Sequence, residues 1–168
     1  MYGRLRQECE THVSKVLSEL TPLTSEPTAF LRQMEKVWQT HCNQMLTVRS
    51  IFLYLDRTYV LQSPNLKSIF DMGLQLFRNQ IESSQATEQA LAAGLVAMIK
   101  LERKGLRGEL VDRQVLKSLV KMLLLLDLYA KHFERAFLDE TIAFYRDEGK
   151  AKMAESSVVD YLLVSPVN

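Results

Sequence analysis

The side chains of this sequence best suited to acid–base, thiol or metal chemistry are its three histidines, two cysteines and the paired acids Asp139-Glu140 and Asp147-Glu148. His12, His41 and His132 fall on three separate stretches of apolar periodicity, and no glutamate has a histidine three residues after it. A carboxylate-bridged di-metal bundle needs that pair repeated and facing inward. Cys9 and Cys42 form neither a Cys-x-x-Cys metal pair nor a disulfide framework, so reduced thiols in a reducing compartment are the default. A Gly-rich phosphate loop, a His-Glu-x-x-His helix and a Gly-x-Ser-x-Gly elbow are all missing from the sequence. The expectation is a non-catalytic chain that uses no metal and no cofactor.

Each remaining candidate has a structural reading beside its chemical one. His41 lies between Trp38 and Met45 on an apolar seam, where it serves as a ligand or pH switch, or as a locally bonded core-edge residue. The second is expected. The cysteines are expected to be small apolar fillers rather than reactive thiols. Adjacent acids point to different parts of a helix surface, so both pairs are read as solvated. Lys100, Arg103, Lys104 and Arg107 suit an acidic partner or a solvated helix end, and the helix end is expected. Met34, Met45, Met72, Met98 and Met122 fall at apolar helical positions and are read mainly as core.

Charge narrows the classes further. The 168 residues are 47% hydrophobic and 24% charged, with a net charge of +1. That balance excludes a polybasic nucleic-acid binder and an acidic disordered tail, so no direct nucleic-acid partner is expected. The first ten residues carry charges where a signal peptide needs an apolar run. The apolar runs Leu91–Ile99 and Met122–Leu126 fall short of the ~20 residues of a spanning helix. An intracellular protein of the nucleus or cytoplasm, without a membrane partner, is the expectation.

The elements that carry these residues are helices. Prolines stand only at 22, 27, 64 and 166, and 27 leucines outweigh 18 isoleucines and valines, favouring helix over strand. A first helix is predicted over Tyr2–Leu20, followed by a Pro22–Pro27 loop. The second runs unbroken through Leu31, Met34, Trp38, His41, Met45, Val48, Phe52, Leu55 and Tyr59, about 45 Å at ~1.5 Å per residue. Ser63-Pro64 is predicted to open a third over about Asn65–Glu82, and Ser83-Ser84 a fourth over Gln85–Lys104, ended by Gly105–Gly108. Asp112 caps a fifth to Leu128, and a sixth runs from Ala130 to about Met153. Ser157-Val-Val-Asp160 is predicted to cap a short seventh, which stops at Ser165-Pro166. The fold class is all-α.

The third helix departs from a simple two-faced pattern. Leu66, Ile69, Phe70, Gly73, Leu74, Phe77 and Ile81 form one apolar face, and Met72 and Leu76 add bulk on its flank. So wide an arc leaves both deep burial and partner docking open.

Longer strings carry a resemblance. Arg49-Ser-Ile-Phe-Leu-Tyr-Leu-Asp-Arg-Thr-Tyr-Val-Leu-Gln62 and Ser68-Ile-Phe-Asp-Met-Gly-Leu-Gln-Leu-Phe-Arg78 closely resemble the N-terminal region of cullins of the cullin-4 type. Trp38-Gln-x-x-Cys42-x-Gln-Met45, Gly108-Glu-x-Val-Asp-Arg113, Phe133-Glu-x-x-Phe-Leu-x-Glu-Thr141 and Phe144-Tyr-x-x-Glu-Gly149 fit the same pattern, from about Tyr2 to Leu162. The resemblance implies a helical solenoid of cullin repeats. Residues 1–82 would be the last three helices of the first repeat, and 83–168 the truncated start of the second. It implies a scaffold segment of a ubiquitin ligase, serving ubiquitin-dependent degradation through protein binding. Its partner would be a β-propeller adaptor of the damaged-DNA-binding type. Ser68, Ile69, Phe70, Asp71, Met72 and Leu76 would contact that adaptor.

The departures from the family pattern bear on this. The first two helices of the first repeat are missing, and the second of them helps to grip the adaptor in the family. Phe70 stands where cullin-4 relatives usually show Trp, and the Gly105–Gly108 loop is about three residues longer. Both ends of the chain look cut. No RING-box partner is expected, because neither the C-terminal domain nor a neddylation lysine motif follows Tyr161-Leu162. An independent helical regulator that competes for the adaptor is the alternative.

Overall fold

Apolar side chains three and four residues apart bury one face of each helix, and the chain answers that spacing throughout. The computed structural model describes residues 1–60, 66–103 and 112–155. Among these, the regular elements are α1 (Tyr2–Ser18), α2 (Pro27–Ile51), α3 (Ile69–Glu82), α4 (Gln85–Arg103), α5 (Arg113–Leu125), α6 (Tyr129–His132) and α7 (Glu134–Glu155). A 3₁₀ turn at Thr21–Ser25 joins α1 to α2, and a π-helical turn at Leu55–Val60 follows α2. The all-α class holds among the described residues. The Ser63-Pro64 cap, the Gly105–Gly108 loop, Lys104, Arg107 and the predicted seventh helix lie outside them.

Caps fix several boundaries where they were expected. The Asp112 carboxylate accepts the backbone N–H groups of Gln114 and Val115, at 2.9 and 3.2 Å, opening α5. The Ser84 hydroxyl accepts the N–H of Thr87 ahead of α4.

Other boundaries differ from the sequence reading. The long second helix is broken: α2 stops at Ile51, Phe52 leaves helical geometry at φ −98°, ψ 26°, and the chain re-forms as a π turn. The cause is a buried carboxylate. Asp56 is only 5% exposed, and it accepts the N–H of Ile69 at 2.8 Å and Arg49 Nε at 3.1 Å. A buried charge must find donors, and the wider turn aims it at them. The third helix starts at Ile69 rather than Asn65, because Ser68 takes the cap and accepts the Asp71 N–H at 3.1 Å. The fifth ends at Leu125 rather than Leu128. Asp127 adopts φ 55°, and Leu128 N–H bonds Leu123 C=O while Asp127 N–H bonds Leu124 C=O. That is a Schellman turn with aspartate in the left-handed position usually given to glycine. The predicted sixth helix is split at Phe133, which stands between α6 and α7 in the chain and is buried in the larger apolar cluster.

Two apolar clusters hold the stack together. The larger draws on α1, α2, α4, α5 and the α6–α7 junction, from Val13 to Phe133, on both sides of the expected boundary at 82/83. The smaller joins Met45, Ile69, Met72 and Leu76, with Tyr2, Leu5, Cys9, Val48, Phe52, Leu55 and Phe70 packed on it. α3 belongs to both: Phe77 and Ile81 enter the larger, and Ile69, Met72 and Leu76 the smaller. Met34, Met45, Met72, Met98 and Met122 are all buried, so each acts as core.

Candidate functional site

The outer side of α3 is the surface that the sequence string Ser68–Arg78 singles out. Its first turn is closed by a reciprocal pair: Ser68 Oγ accepts the Asp71 N–H and donates to Asp71 Oδ2 at 2.7 Å. The Asp71 carboxylate also sits well at the positive end of the helix.

The six residues assigned to adaptor contact divide into three groups. Asp71 is exposed, and Ser68 and Phe70 are half-buried at the surface. Met72 and Leu76, each 3% exposed, face α1 and floor a 330 Å³ cleft whose walls include Tyr2, Arg6 and Asn79. Ile69 is wholly buried. The flank left open by the pattern is thus occupied by α1 within this chain. Leu74, Gln75 and Arg78, which sequence reasoning did not assign, continue the face of Asp71. They line a second cleft, of 320 Å³, against the C-terminal end of α5.

Directional bonds fix this helix from below. Asp56 holds the Ile69 N–H, and the Tyr2 hydroxyl donates to Lys67 C=O at 2.8 Å. Burial pushes the Tyr2 phenol pKa up. His41 Nε2 donates to Gly73 C=O at 3.0 Å, with its ring 4.9 Å from that of Phe77. Burial lowers the pKa of His41 despite that bond, so it acts as a neutral core-edge residue. A Cβ at Gly73 would stand 2.5 Å from Met45 Cγ, so the α2–α3 crossing depends on glycine there. At the far end, Arg78 pairs with Glu82 and with Asp127, and Lys131 pairs with Glu82 at 2.8 Å. The Lys131 hydrogen bond, aided by Arg78, holds the Glu82 carboxyl below its ordinary range.

The other chemical candidates are structural. Burial pushes the Cys42 thiol pKa up to about 11, and raises that of Cys9. The acidic pairs are only partly solvated, which corrects the sequence reading. Glu140 binds Lys100 at 2.9 Å and Glu148 binds Lys152 at 3.1 Å, while Asp139 and Asp147 are exposed. Arg103 lies over the rings of Phe137, Phe144 and Tyr145 and donates to Thr141, so it is a packing residue as well as a helix-end charge. Among the described residues, no group of three or more His, Cys, Asp or Glu is placed to hold a metal ion. No described helix is long and apolar enough to cross a membrane.

Comparison with known proteins places this architecture. The chain matches the model of the cullin α-solenoid domain over residues 1–164. It is 44% identical to Cullin-4A of Homo sapiens over 162 residues, which are 96% of this chain and 21% of that protein. It is 40% identical to Cullin-4 of Dictyostelium discoideum over 164 residues, covering 96% of this chain and 20% of the relative. Against Cullin-3 of the same organism the identity is 31% over 167 residues, with 96% and 21% covered. The chain spans about a fifth of the length of these curated relatives. With the family's α-solenoid model matched along nearly all of its residues, and greater identity to these cullin-4 relatives than to Cullin-3, this helical stack belongs to the cullin family.

Proposed function

We propose that the chain is a scaffold segment of a cullin-RING ubiquitin ligase, and that the outer side of α3 receives the β-propeller adaptor. Residues 1–82 would close one cullin repeat and 83–168 open the next, in an arm that serves ubiquitin-dependent degradation in the nucleus or cytoplasm. The observation that carries this reading is the state of α3 itself. Its inner side is locked into both apolar clusters, while Asp71 is exposed, Gln75 stands between two clefts, and Phe70 and Leu74 pack on the clusters yet stay half-exposed.

The mechanism is positioning. A stack of helices with a shared core holds a bound adaptor at a fixed distance from a charged ubiquitin carrier, raising its effective concentration there. Bond making belongs to other subunits. The test is direct binding of the purified chain to purified adaptor. Phe70→Asp should weaken binding about tenfold or more, since a half-buried aromatic is the expected anchor of such a contact. An unsubstituted chain that captures no adaptor would sink the adaptor-side reading.

A further inference from the structure

We propose that the docking surface does not end at α3 but continues across the 320 Å³ cleft onto the end of α5, with Leu124 and Leu125 as a second apolar anchor for the same adaptor. This rests on the adaptor reading above. The run Leu123–Leu126 is split by the fold: Leu123 and Leu126 are 2% exposed, whereas Leu124 and Leu125 are 58% and 63% exposed. The Schellman turn at Asp127 ends the helix directly after this pair, with Leu125 lining the cleft and Leu124 one position before it. Asp127 then reaches back to Arg78 of α3 at 3.2 Å, tying the two walls to each other.

Leu74 and Leu125 give the cleft apolar surface among the polar and charged groups of Lys67, Asp71, Gln75 and the Arg78–Asp127 pair. Apolar and polar groups set side by side are what a protein interface combines. The occupant is the adaptor, because Asp71, Leu74 and Gln75 belong at once to the outer face of α3 and to this cleft. A partner seated on the face therefore lies at the mouth of the cleft. The partner feature that fits is a loop presenting a large apolar side chain to enter between α3 and α5.

The test compares adaptor affinity for the unsubstituted chain, Phe70→Asp, the double variant Leu124→Asp/Leu125→Asp, and the control Leu138→Asp/Ile142→Asp on α7. All four target leucine and isoleucine positions are already about half exposed or more, so thermal melts should stay close to the parent. The α5 variant should lose about tenfold or more in affinity and the α7 control should lose none. If Phe70→Asp abolishes binding while the α5 variant binds as the parent does, the surface ends at α3, and the inference fails with the adaptor reading intact. If the unsubstituted chain does not bind, both fall. If the α5 variant instead abolishes self-association in light scattering, with adaptor affinity unchanged, the leucines serve a second copy and the inference is overturned.

Discussion

The two apolar clusters that share α3 hold together in different ways. In the larger, Phe30, Leu31, Met34, Leu95, Leu119 and Met122 lie at 1% exposure or less, and α2, α4 and α5 contribute interlocking volume. The smaller has Met45, Ile69, Met72 and Leu76 at its centre, and polar ties close its edges: Asp56 to Ile69 and Arg49, Tyr2 to Lys67. Volume is a collective property that many residues supply. A directional bond is not, and the seat of the candidate surface hangs on a few of them.

Substitutions can break this contrast. The largest effect is expected from Phe30→Ala, which opens a cavity in the larger cluster and should cost about 3–5 kcal/mol in chemical denaturation. It should lower the stability of the whole stack together. Next is Asp56→Ala, which strands the buried Ile69 N–H, leaves the half-exposed Arg49 to solvent and should cost about 1–3 kcal/mol. Its mark should be local: faster hydrogen exchange at the Ile69 amide, and faster alkylation of Cys9, which packs on the smaller cluster. Cys42, packed on the larger, should keep its slow rate. Equal acceleration of both thiols would show that the clusters open as one unit.

The smallest effect is set by pH at the junction between the clusters, where His41 touches Phe77 and bonds Gly73. Burial depresses the folded pKa of His41 below the ordinary 6.5. On acidification the unfolded chain therefore takes up the proton first, and this contribution to stability is lost as pH falls from 6.5 through the folded value. The denaturation midpoint should drop between pH 7.5 and 5. His41→Gln should flatten that slope, and an unchanged slope would place the acid sensitivity elsewhere.

Much of this fold is legible in the sequence because helical periodicity is local. α1, α4 and the Asp112 cap follow from spacing and from one carboxylate next to the N–H groups it satisfies. The breaks are not local. Phe52, Leu55 and Tyr59 continue the seam of α2 without a fault, and one of the donors that hold Asp56, the Ile69 N–H, lies 13 residues on. The end of α5 lacks the glycine that usually marks such a turn, and among the described residues it is Arg78, 49 positions upstream, that the Asp127 side chain bonds.

The candidate surface was legible in part. The string Ser68–Arg78 identified the helix, but not which of its residues face out. Met72 and Leu76 turn inward because α1 lies against them, a contact between segments far apart in the chain. Leu74 and Gln75 gain their place at a cleft only through α5.

The change of pitch after α2 makes the chain sensitive to length there. A π-helical turn closes each ring with one residue more than an α-helix. Losing a single residue between Phe52 and Val60 would let the segment rewind as α-helix and swing Asp56 about 100° around the axis, away from Ile69. Ahead of Asp56, the same change would also alter the spacing that pairs Arg49 with Asp56. An insertion or deletion there would misaim the outer face without altering one residue on it.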